Sequence, residues 1–232
     1  TTLMLDSILR ASGFRSKAAG NIGHSLVGVV MHDELDVIAV EVGAPQLPFI
    51  HTVSPWASVC LNLAPDHVDH FGDFDRYTKA KARIYERTQY AAVYNGHDEA
   101  TISMVEAADV IEGCRAIGFT RGIPALSELG VVDNALVDRA FIANRMDYAQ
   151  ELALVSDIHP AAEHNTENAL AAAAVARAFG TLDSPDLNRV SPTAVQMGLR
   201  NFAPAPHRNA VVASVDGVTY VDDSKATNAH AA

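Results

Sequence analysis

The chain has 232 residues, of which 49% are hydrophobic, and a formal net charge of −11 at pH 7. This apolar content is sufficient for a packed globular core. The negative charge and the lack of a long Lys/Arg run argue against nucleic acid or an anionic membrane as the main partner. The sequence has neither an apolar run of about 18 residues nor the basic-then-apolar start of a signal peptide. Because Cys60 and Cys114 lie far apart and outside any metal-binding spacing, we expect a reduced, cytoplasmic protein.

The first third of the chain predicts a helix, a loop and two buried strands. "TTLMLDSILRASG" has the spacing of an amphipathic helix that closes at Gly13, and "RSKAAGNIGHSL" has two glycines around Asn21, which is typical of a loop. "LDVIAVEVG" and "WASVCLNLAPDH" are short apolar runs that predict buried parallel strands. The first strand ends in Glu41, and the second, over residues 57–63, is followed by Asp66 and His67.

Helices and strands alternate in the next segments. A helix over residues 77–88, a strand at "YAAVYN" and a second helix after "GHDEA" follow one another. This order predicts an α/β fold with a mostly parallel sheet flanked by helices. Ligands of such sheets bind at the carboxyl ends of the strands, where Glu41, Asp66 and His67 fall.

Residues 115–158 predict an antiparallel or mixed edge of the sheet. The β-like pieces are "RAIGF", "ELGVVDNALV", "AFIANR" and "ELALVSD". Two helices follow: "HNTENALAAAAVARAFG" ends at Gly180, and "SPTAVQMGLRNF" has Ser191 as its N-cap and Pro192 at its first position.

A Pro-Ala linker, "APAPH", precedes two alternating strands around Asp216-Gly217, which predict a hairpin. We therefore predict one domain over residues 1–203 and the first strands of a second, Rossmann-like α/β domain over residues 204–232. Both ends look like cuts, so we expect the chain to be a piece of a longer protein.

Lys81 lies on the apolar side of the helix predicted for residues 77–88, four residues after Tyr77 and three before Ile84. A buried ammonium without a partner is costly, so Lys81 is expected to snorkel, to pair with an acid or to lose its charge. A buried lysine amine can also react with carbon dioxide to form a carbamate, which presents a carboxylate on a long stem.

The turn before this helix, "DHVDH", supplies carboxylates and imidazoles. Magnesium prefers oxygen ligands, and a neutral imidazole can join them. A carbamate on Lys81 together with His67, Asp69 and Glu41 would form an anionic pocket for one metal ion. The alternative is a solvated polar loop, because an Asp/His cluster without cysteine is only weakly specific for a metal.

Six short motifs occur in a fixed order along the chain. They are "GNIG", "DHVD", "YTKAKARIYE", "HNTENALAA", "HR" and "DDSKATN". In this order the chain resembles the Mur ligases, and most narrowly those that add D-glutamate to UDP-N-acetylmuramoyl-L-alanine in peptidoglycan synthesis. "DSKATN" is the most specific motif, because sister ligases and folylpolyglutamate synthases differ there. The resemblance covers essentially the whole chain and implies a P-loop NTPase-like, ATP-binding central domain.

The resemblance implies an ATP-dependent amide ligase with two magnesium sites. ATP phosphorylates the carboxylate of UDP-N-acetylmuramoyl-L-alanine, and the amine of D-glutamate attacks the acyl phosphate. His67 matches a magnesium ligand, Lys81 matches a carbamylated lysine that supports the second magnesium, and Glu41 matches another ligand of that metal. Together with Lys225, His67 and Lys81 form the catalytic set.

Further matches imply nucleotide contacts. Asn165 and Asn168 match a pair that reads adenine, Arg208 a residue near the phosphates, and Asp223 one on the ribose. The alternatives are structural: the two asparagines could cap the alanine-rich helix, and Asp223 could belong to a strand-to-helix turn.

Three matches imply substrate contacts. Asn21 corresponds to an asparagine on the UDP-sugar, and Lys225 and Thr227 correspond to positions that hold D-glutamate. Asn21 could instead supply only a left-handed turn conformation.

The chain departs from the family pattern in places. "EVGAPQLP" lacks the serines and phenylalanine usual after the glutamate, and "HRNA" has Ala210 where an acidic residue is common. The Gly-Lys-Thr/Ser loop that cradles phosphates is expected just before Thr1. We therefore do not expect this piece alone to catalyse ligation. Two alternatives stay open: a sister Mur or folylpolyglutamate synthase-like ligase, and a non-catalytic nucleotide-binding module.

Overall fold

A computed structural model of the chain describes residues 1–66, 68–181, 188–207 and 210–225. The helices are α1 (Thr2–Ala11), α2 (Leu26–His32), α3 (Val68–Phe71), α4 (Phe74–Ala82), α5 (Glu99–Glu106), α6 (Glu163–Gly180) and α7 (Pro192–Asn201). The strands are β1 (Ser16–Gly20), β2 (Val37–Glu41), β3 (Ala57–Cys60), β4 (Ala91–Asn95), β5 (Arg115–Phe119), β6 (Glu128–Val132), β7 (Ala135–Asp138), β8 (Gln150–Leu154), β9 (Ala210–Val215) and β10 (Val218–Asp222). Short 3-10 turns span Ala44–Phe49, Arg83–Tyr85 and Val155–Asp157.

The main sheet has six strands in the order β3-β4-β5-β6-β7-β8. Strands β3 to β6 are parallel, and β7 and β8 add an antiparallel edge. The predicted α/β class is therefore confirmed. "RAIGF" was expected at the edge but forms β5 inside the parallel part, where Ile117 and Phe119 are buried, as in a strand covered on both faces.

"AFIANR" does not form the predicted strand. The backbone N–H groups of Ala140 and Phe141 donate to the Asp138 carboxylate at 2.7 and 2.9 Å. This local bonding turns the chain directly after β7, because a side-chain acceptor replaces the ladder partner of a strand.

A second, two-stranded parallel sheet pairs β1 with β2. The predicted loop at "RSKAAGNIGHSL" is therefore partly wrong: its first half is β1, which packs on α1 and buries Ala18 and Ala19, and the turn begins only at Asn21. Gly20 has φ +105°, and a Cβ there would lie 2.2 Å from the carbonyl oxygen of Glu41. Glycine is thus required where the two strands end together.

Helix α6 forms the centre of the core. Its run of alanines is fully buried, so small side chains bring the helix close to the sheet. The predicted end at Gly180 is confirmed, and so is the start of α7, where Ser191 Oγ accepts from the Ala194 N–H at 3.1 Å. Helix α7 also packs on α1.

The helix predicted for residues 77–88 is shorter than expected at its end. Helix α4 stops at Ala82, a 3-10 turn follows, and Arg87 adopts φ 61°. The buried Thr88 pairs its hydroxyl with that of Ser58 at 2.7 Å. This contact ties the chain to β3 before it enters β4.

Strands β9 and β10 form the predicted hairpin as a sheet of their own. Asp216 and Gly217 have φ of 49° and 80°, which matches a two-residue turn with left-handed central residues. The boundary near residue 204 stays a prediction. Within the described ranges no helix is both long and apolar enough to cross a membrane.

Candidate functional site

The predicted site residues that the structure describes lie on different kinds of element. Asn21, Asp223 and Lys225 follow strands, Glu41 ends β2, and Lys81, Asn165 and Asn168 lie on helices. His67, Arg208 and Thr227 lie outside the described residues, so their predicted roles stay predictions.

Glu41 and Asn21 are brought together by the register of β1 and β2. Gly20 pairs with Glu41, so both strands end at the same edge. The Asn21 N–H donates to the Glu41 carbonyl at 2.8 Å, and its side-chain Nδ2 lies 3.5 Å from Glu41 Oε1. The left-handed conformations of this turn belong to Gly20 and Gly23. The amide of Asn21 is exposed beside the half-buried carboxylate of Glu41.

Lys81 projects from α4 toward the end of β3. Its Nζ donates to the Asn62 carbonyl at 2.9 Å and lies 5.6 Å from the centroid of the Tyr77 ring. The side chain is half-buried, which agrees with a helix face that buries Tyr77 and Ala80. Among the described residues Lys81 has no ion pair with an acid, and its hydrogen-bond partner is the Asn62 carbonyl.

The segment Cys60–Leu63, which we call the β3 exit, is held on both sides. From α4 and its following turn, the Tyr85 hydroxyl accepts from the Cys60 N–H at 3.2 Å, and Lys81 binds the Asn62 carbonyl. From the last residue of β4, Asn95 Nδ2 donates to the Leu61 carbonyl at 3.0 Å, and from the turn before α5, Asp98 Oδ2 accepts from the Leu63 N–H at 2.7 Å. These side-chain contacts explain why β3 ends at Cys60 and not at residue 63.

Burial changes the acidity of two groups beside the β3 exit. Desolvation raises the pKa of the Cys60 thiol, an effect that the positive charge of Lys81 partly offsets. Desolvation also raises the pKa of the Tyr85 hydroxyl, which donates to the Val93 carbonyl at 2.7 Å. Both groups are therefore uncharged at neutral pH, and the free Cys60 is not an activated nucleophile.

The acidic side chains near the ends of β2 and β3 do not form a metal site among the described residues. In the parts of the chain that the structure describes, no three His, Cys, Asp or Glu side chains are grouped to hold one metal ion. Asp69 is exposed on α3. The predicted magnesium pocket needs His67 and a carboxylate that Lys81 acquires only as a carbamate, and so it stays a prediction.

The two asparagines predicted to read adenine lie in the first turns of α6. Helix α6 has Ala162 as its N-cap, without a side-chain cap, so neither asparagine caps it. The buried Asn165 donates from Nδ2 to the Pro160 carbonyl at 2.9 Å, which holds the chain entering the helix. Asn168 accepts a hydrogen bond from the Thr1 hydroxyl, which brings the start of α1 to the start of α6.

Asp223 and Lys225 follow the β9–β10 hairpin. The Lys225 N–H donates to the His207 carbonyl at 3.1 Å, and His207 Nδ1 lies 2.6 Å from Asp222 Oδ2. This hydrogen bond, with a smaller contribution from Ser224, lowers the pKa of Asp222 to about 2. The contacts close the hairpin onto the linker that precedes it.

Asn62, Asn95 and Asp98 were not identified from the sequence as site residues. Asp98 has the signal of an N-cap before α5, and its carboxylate accepts from Ala100 and Thr101. Its second contact, with Leu63, joins positions 35 residues apart, and no local pattern reveals such a pair.

Comparison with known proteins gives consistent matches along the chain. The family model of the Mur ligase middle domain matches residues 1–176. The UDP-N-acetylmuramoylalanine–D-glutamate ligase of Streptomyces avermitilis is 54% identical over 233 residues, which cover 100% of this chain and 48% of that protein. The enzyme of the same name from Streptomyces coelicolor is 55% identical over 232 residues, with 100% and 47% coverage. The chain thus spans about half the length of the curated relatives it matches.

A solved structure supports the fold. MurF from Acinetobacter baumannii superposes with a TM-score of 0.64 at 21% identity, covering 96% of this chain and 47% of that one.

Proposed function

The chain belongs to the Mur ligase middle-domain family, and from this premise we propose that it is the ATP-binding part of a ligase that adds D-glutamate to UDP-N-acetylmuramoyl-L-alanine. The reaction couples ATP hydrolysis to amide formation through an acyl phosphate, and it uses magnesium. The observation that carries the proposal is the identity of 54% and 55% over the entire chain with two ligases of that name.

Glu41 and Lys81 suit a magnesium site in their chemistry. Glu41 ends a parallel strand at the edge where such sheets bind ligands. Within the described ranges its carboxylate has one hydrogen-bond contact, the long one to Asn21 at 3.5 Å. Magnesium takes oxygen ligands, so Lys81 would contribute after its amine has become a carbamate. Together with His67, these residues would hold the ion, whose charge would offset that of the phosphates.

The remaining predicted residues complete the proposal. Asn165 and Asn168 would bind adenine from the start of α6, with Asp223 on the ribose and Arg208 near the phosphates. Asn21 would contact the UDP-sugar, and Lys225 and Thr227 would hold D-glutamate.

The direct test is phosphate release by the full-length protein that contains this chain, supplied with ATP, magnesium and UDP-N-acetylmuramoyl-L-alanine. We expect release to require D-glutamate and not the amino acids used by sister ligases. Release with another amino acid would identify a sister ligase, and no release with any amino acid would favour a binding module.

A variant of Lys81 tests its place in the site. Lys81→Ala should lower the rate by at least about 10- to 100-fold, and a short carboxylate such as acetate should restore part of it by replacing the carbamate. Lys79→Ala is the matched control, since Lys79 is exposed on the same helix. A near-normal rate for Lys81→Ala would refute the role of Lys81.

A further inference from the structure

We propose that Asn95 and Asp98 are positioning residues for Lys81, because they fix the Asn62 carbonyl that orients the Lys81 nitrogen. The inference rests on the proposed function, in which Lys81 is carbamylated, and adds two residues that would act through Lys81.

Both side chains divide their hydrogen bonds between their own turn and the β3 exit. Asp98 uses Oδ1 to cap α5 through Ala100 and Thr101, and Oδ2 to hold the Leu63 N–H at 2.7 Å. Asn95, which is buried, accepts from the His97 N–H at 2.9 Å and donates to the Leu61 carbonyl at 3.0 Å. In each case one atom serves the turn and the other reaches across to a different strand.

The two bonds that cross to the β3 exit bracket a single peptide carbonyl. Leu61 is held through its C=O and Leu63 through its N–H, so the intervening Asn62 has little freedom to rotate its carbonyl. This carbonyl accepts from Lys81 Nζ at 2.9 Å. The end of β4 and the turn before α5 therefore control the direction of the lysine nitrogen, although no hydrogen bond found in the described parts of the chain joins them to Lys81.

The chemistry of a carbamate makes this direction important. The uncharged amine nitrogen forms a bond to the carbon of CO2 and releases one proton to solvent, which leaves one N–H and a carboxylate. The carbamate group is planar, so the direction of the remaining N–H sets the plane of the carboxylate. If the N–H keeps its bond to the Asn62 carbonyl, the carboxylate is held in one orientation before any cation binds. Groups that orient metal ligands in this way typically affect metal affinity or activity by about 10- to 100-fold.

Isosteric variants separate this role from packing. Asp98→Asn can keep the α5 cap, since asparagine caps helices as well as aspartate does, but turns an NH2 toward the Leu63 N–H. Asn95→Asp keeps the acceptor for His97 and turns an oxygen toward the Leu61 carbonyl. Asp73→Asn is the control: Asp73 caps α4, which carries Lys81, by accepting from Arg76 at 2.8 Å, and has no contact with the β3 exit among the described residues.

The experiment uses the full-length protein in 13C-labelled bicarbonate. We expect a 13C NMR carbamate signal that Lys81→Ala removes and that Asp98→Asn and Asn95→Asp weaken. The magnesium concentration for half-maximal phosphate release should rise by about 10- to 100-fold in both variants, with thermal unfolding close to wild type. Asp73→Asn should change neither the signal nor the magnesium dependence.

A double-variant cycle shows whether the effect passes through Lys81. In Lys81→Ala rescued by acetate, adding Asp98→Asn should change the rate by less than about 2-fold, because the group it orients is gone. An equally large loss in the rescued background would mean a general structural role and overturn the proposal.

The other outcomes are also decisive. Unchanged carbamate and magnesium dependence in both isosteric variants would refute positioning while leaving the proposed function intact. A wild-type protein without a carbamate signal, together with an active Lys81→Ala variant, would refute the role of Lys81 itself. If Asp98→Asn fails to fold, Asp98→Ser decides the question, because its short side chain can cap α5 but cannot also reach Leu63. Unfolding of every variant would show that the contacts are structural and overturn the proposal.

Discussion

Arg177→Ala should destabilise the protein more than any surface charge variant. Arg177 is 4% exposed and its Nε lies 2.9 Å from Oδ2 of Asp138, which is fully buried. The same guanidinium donates to the Val190 carbonyl at 2.6 Å. Without it, the Asp138 carboxylate keeps two backbone donors among the described residues, the N–H groups of Ala140 and Phe141, and the Val190 carbonyl loses a partner. Leaving one charge of such a buried pair uncompensated costs about 3–5 kcal/mol.

Urea unfolding followed by the fluorescence of Trp56 measures this loss. Trp56 is the single tryptophan of the chain, and its indole donates to the carbonyl of Ala178, next to Arg177, at 2.9 Å. The midpoint should fall by about 1 M urea or more. Arg15→Ala, which breaks the exposed pair with Asp36, should have little effect.

The double variant Arg177→Met/Asp138→Leu tests whether the unpaired buried charge causes the loss of stability. Because both charges are removed, most of the stability should return. A loss below about 1 kcal/mol in Arg177→Ala, or a double variant as unstable as the single one, would refute the reasoning from burial.

Two further predictions concern packing and pH. Gly198→Ala should cost about 1–3 kcal/mol in thermal or urea unfolding, because its Cβ would lie 2.4 Å from the Cα of Ile8. Gly28→Ala, with its nearest neighbour at 3.9 Å, should be neutral or slightly stabilising, because alanine favours a helix interior. A similar loss in both variants would contradict the close contact of α7 with α1. Because the pKa of Asp222 is lowered from 3.8 to about 2 in the folded protein, its stabilising contribution is complete above about pH 4 and is lost as the pH falls toward 2. An NMR titration of the Asp222 carboxyl carbon should show this midpoint, and His207→Ala should move it up toward 3.8; an unchanged midpoint would exclude the hydrogen bond as the cause.

The predictable parts of the fold are those encoded by local patterns. The continuous apolar run of "YAAVYN" predicted β4, the Ser191-Pro192 pair predicted the start of α7, and Asp216-Gly217 predicted the hairpin; all three are confirmed. Strand β1 was mistaken for a loop because two glycines flank Asn21 and the strand has no large apolar residue; its strand character comes from pairing with β2 and packing on α1. A tertiary contact thus decided the conformation where local propensity was weak.

The candidate site likewise has features that local patterns predict and features that they do not. Helical spacing was sufficient to place Lys81 on the buried side of α4, since the neighbours Tyr77 and Ala80 are themselves part of the repeat. Spacing could not identify the carbonyl that binds the amine, because every residue has a carbonyl and only the path of the chain decides which one is near.

That path is set by side chains remote in sequence. Asn95 and Asp98 follow Leu61 and Leu63 by 34 and 35 positions, and they meet because β3 and β4 are adjacent parallel strands whose carboxyl ends share one edge. In a parallel pair, the turns that follow the two strands lie at the same edge of the sheet. A polar turn after one strand is therefore well placed to hydrogen-bond the backbone that follows the neighbouring strand. In this protein that arrangement connects a helix cap on α5 to the direction of a lysine on α4.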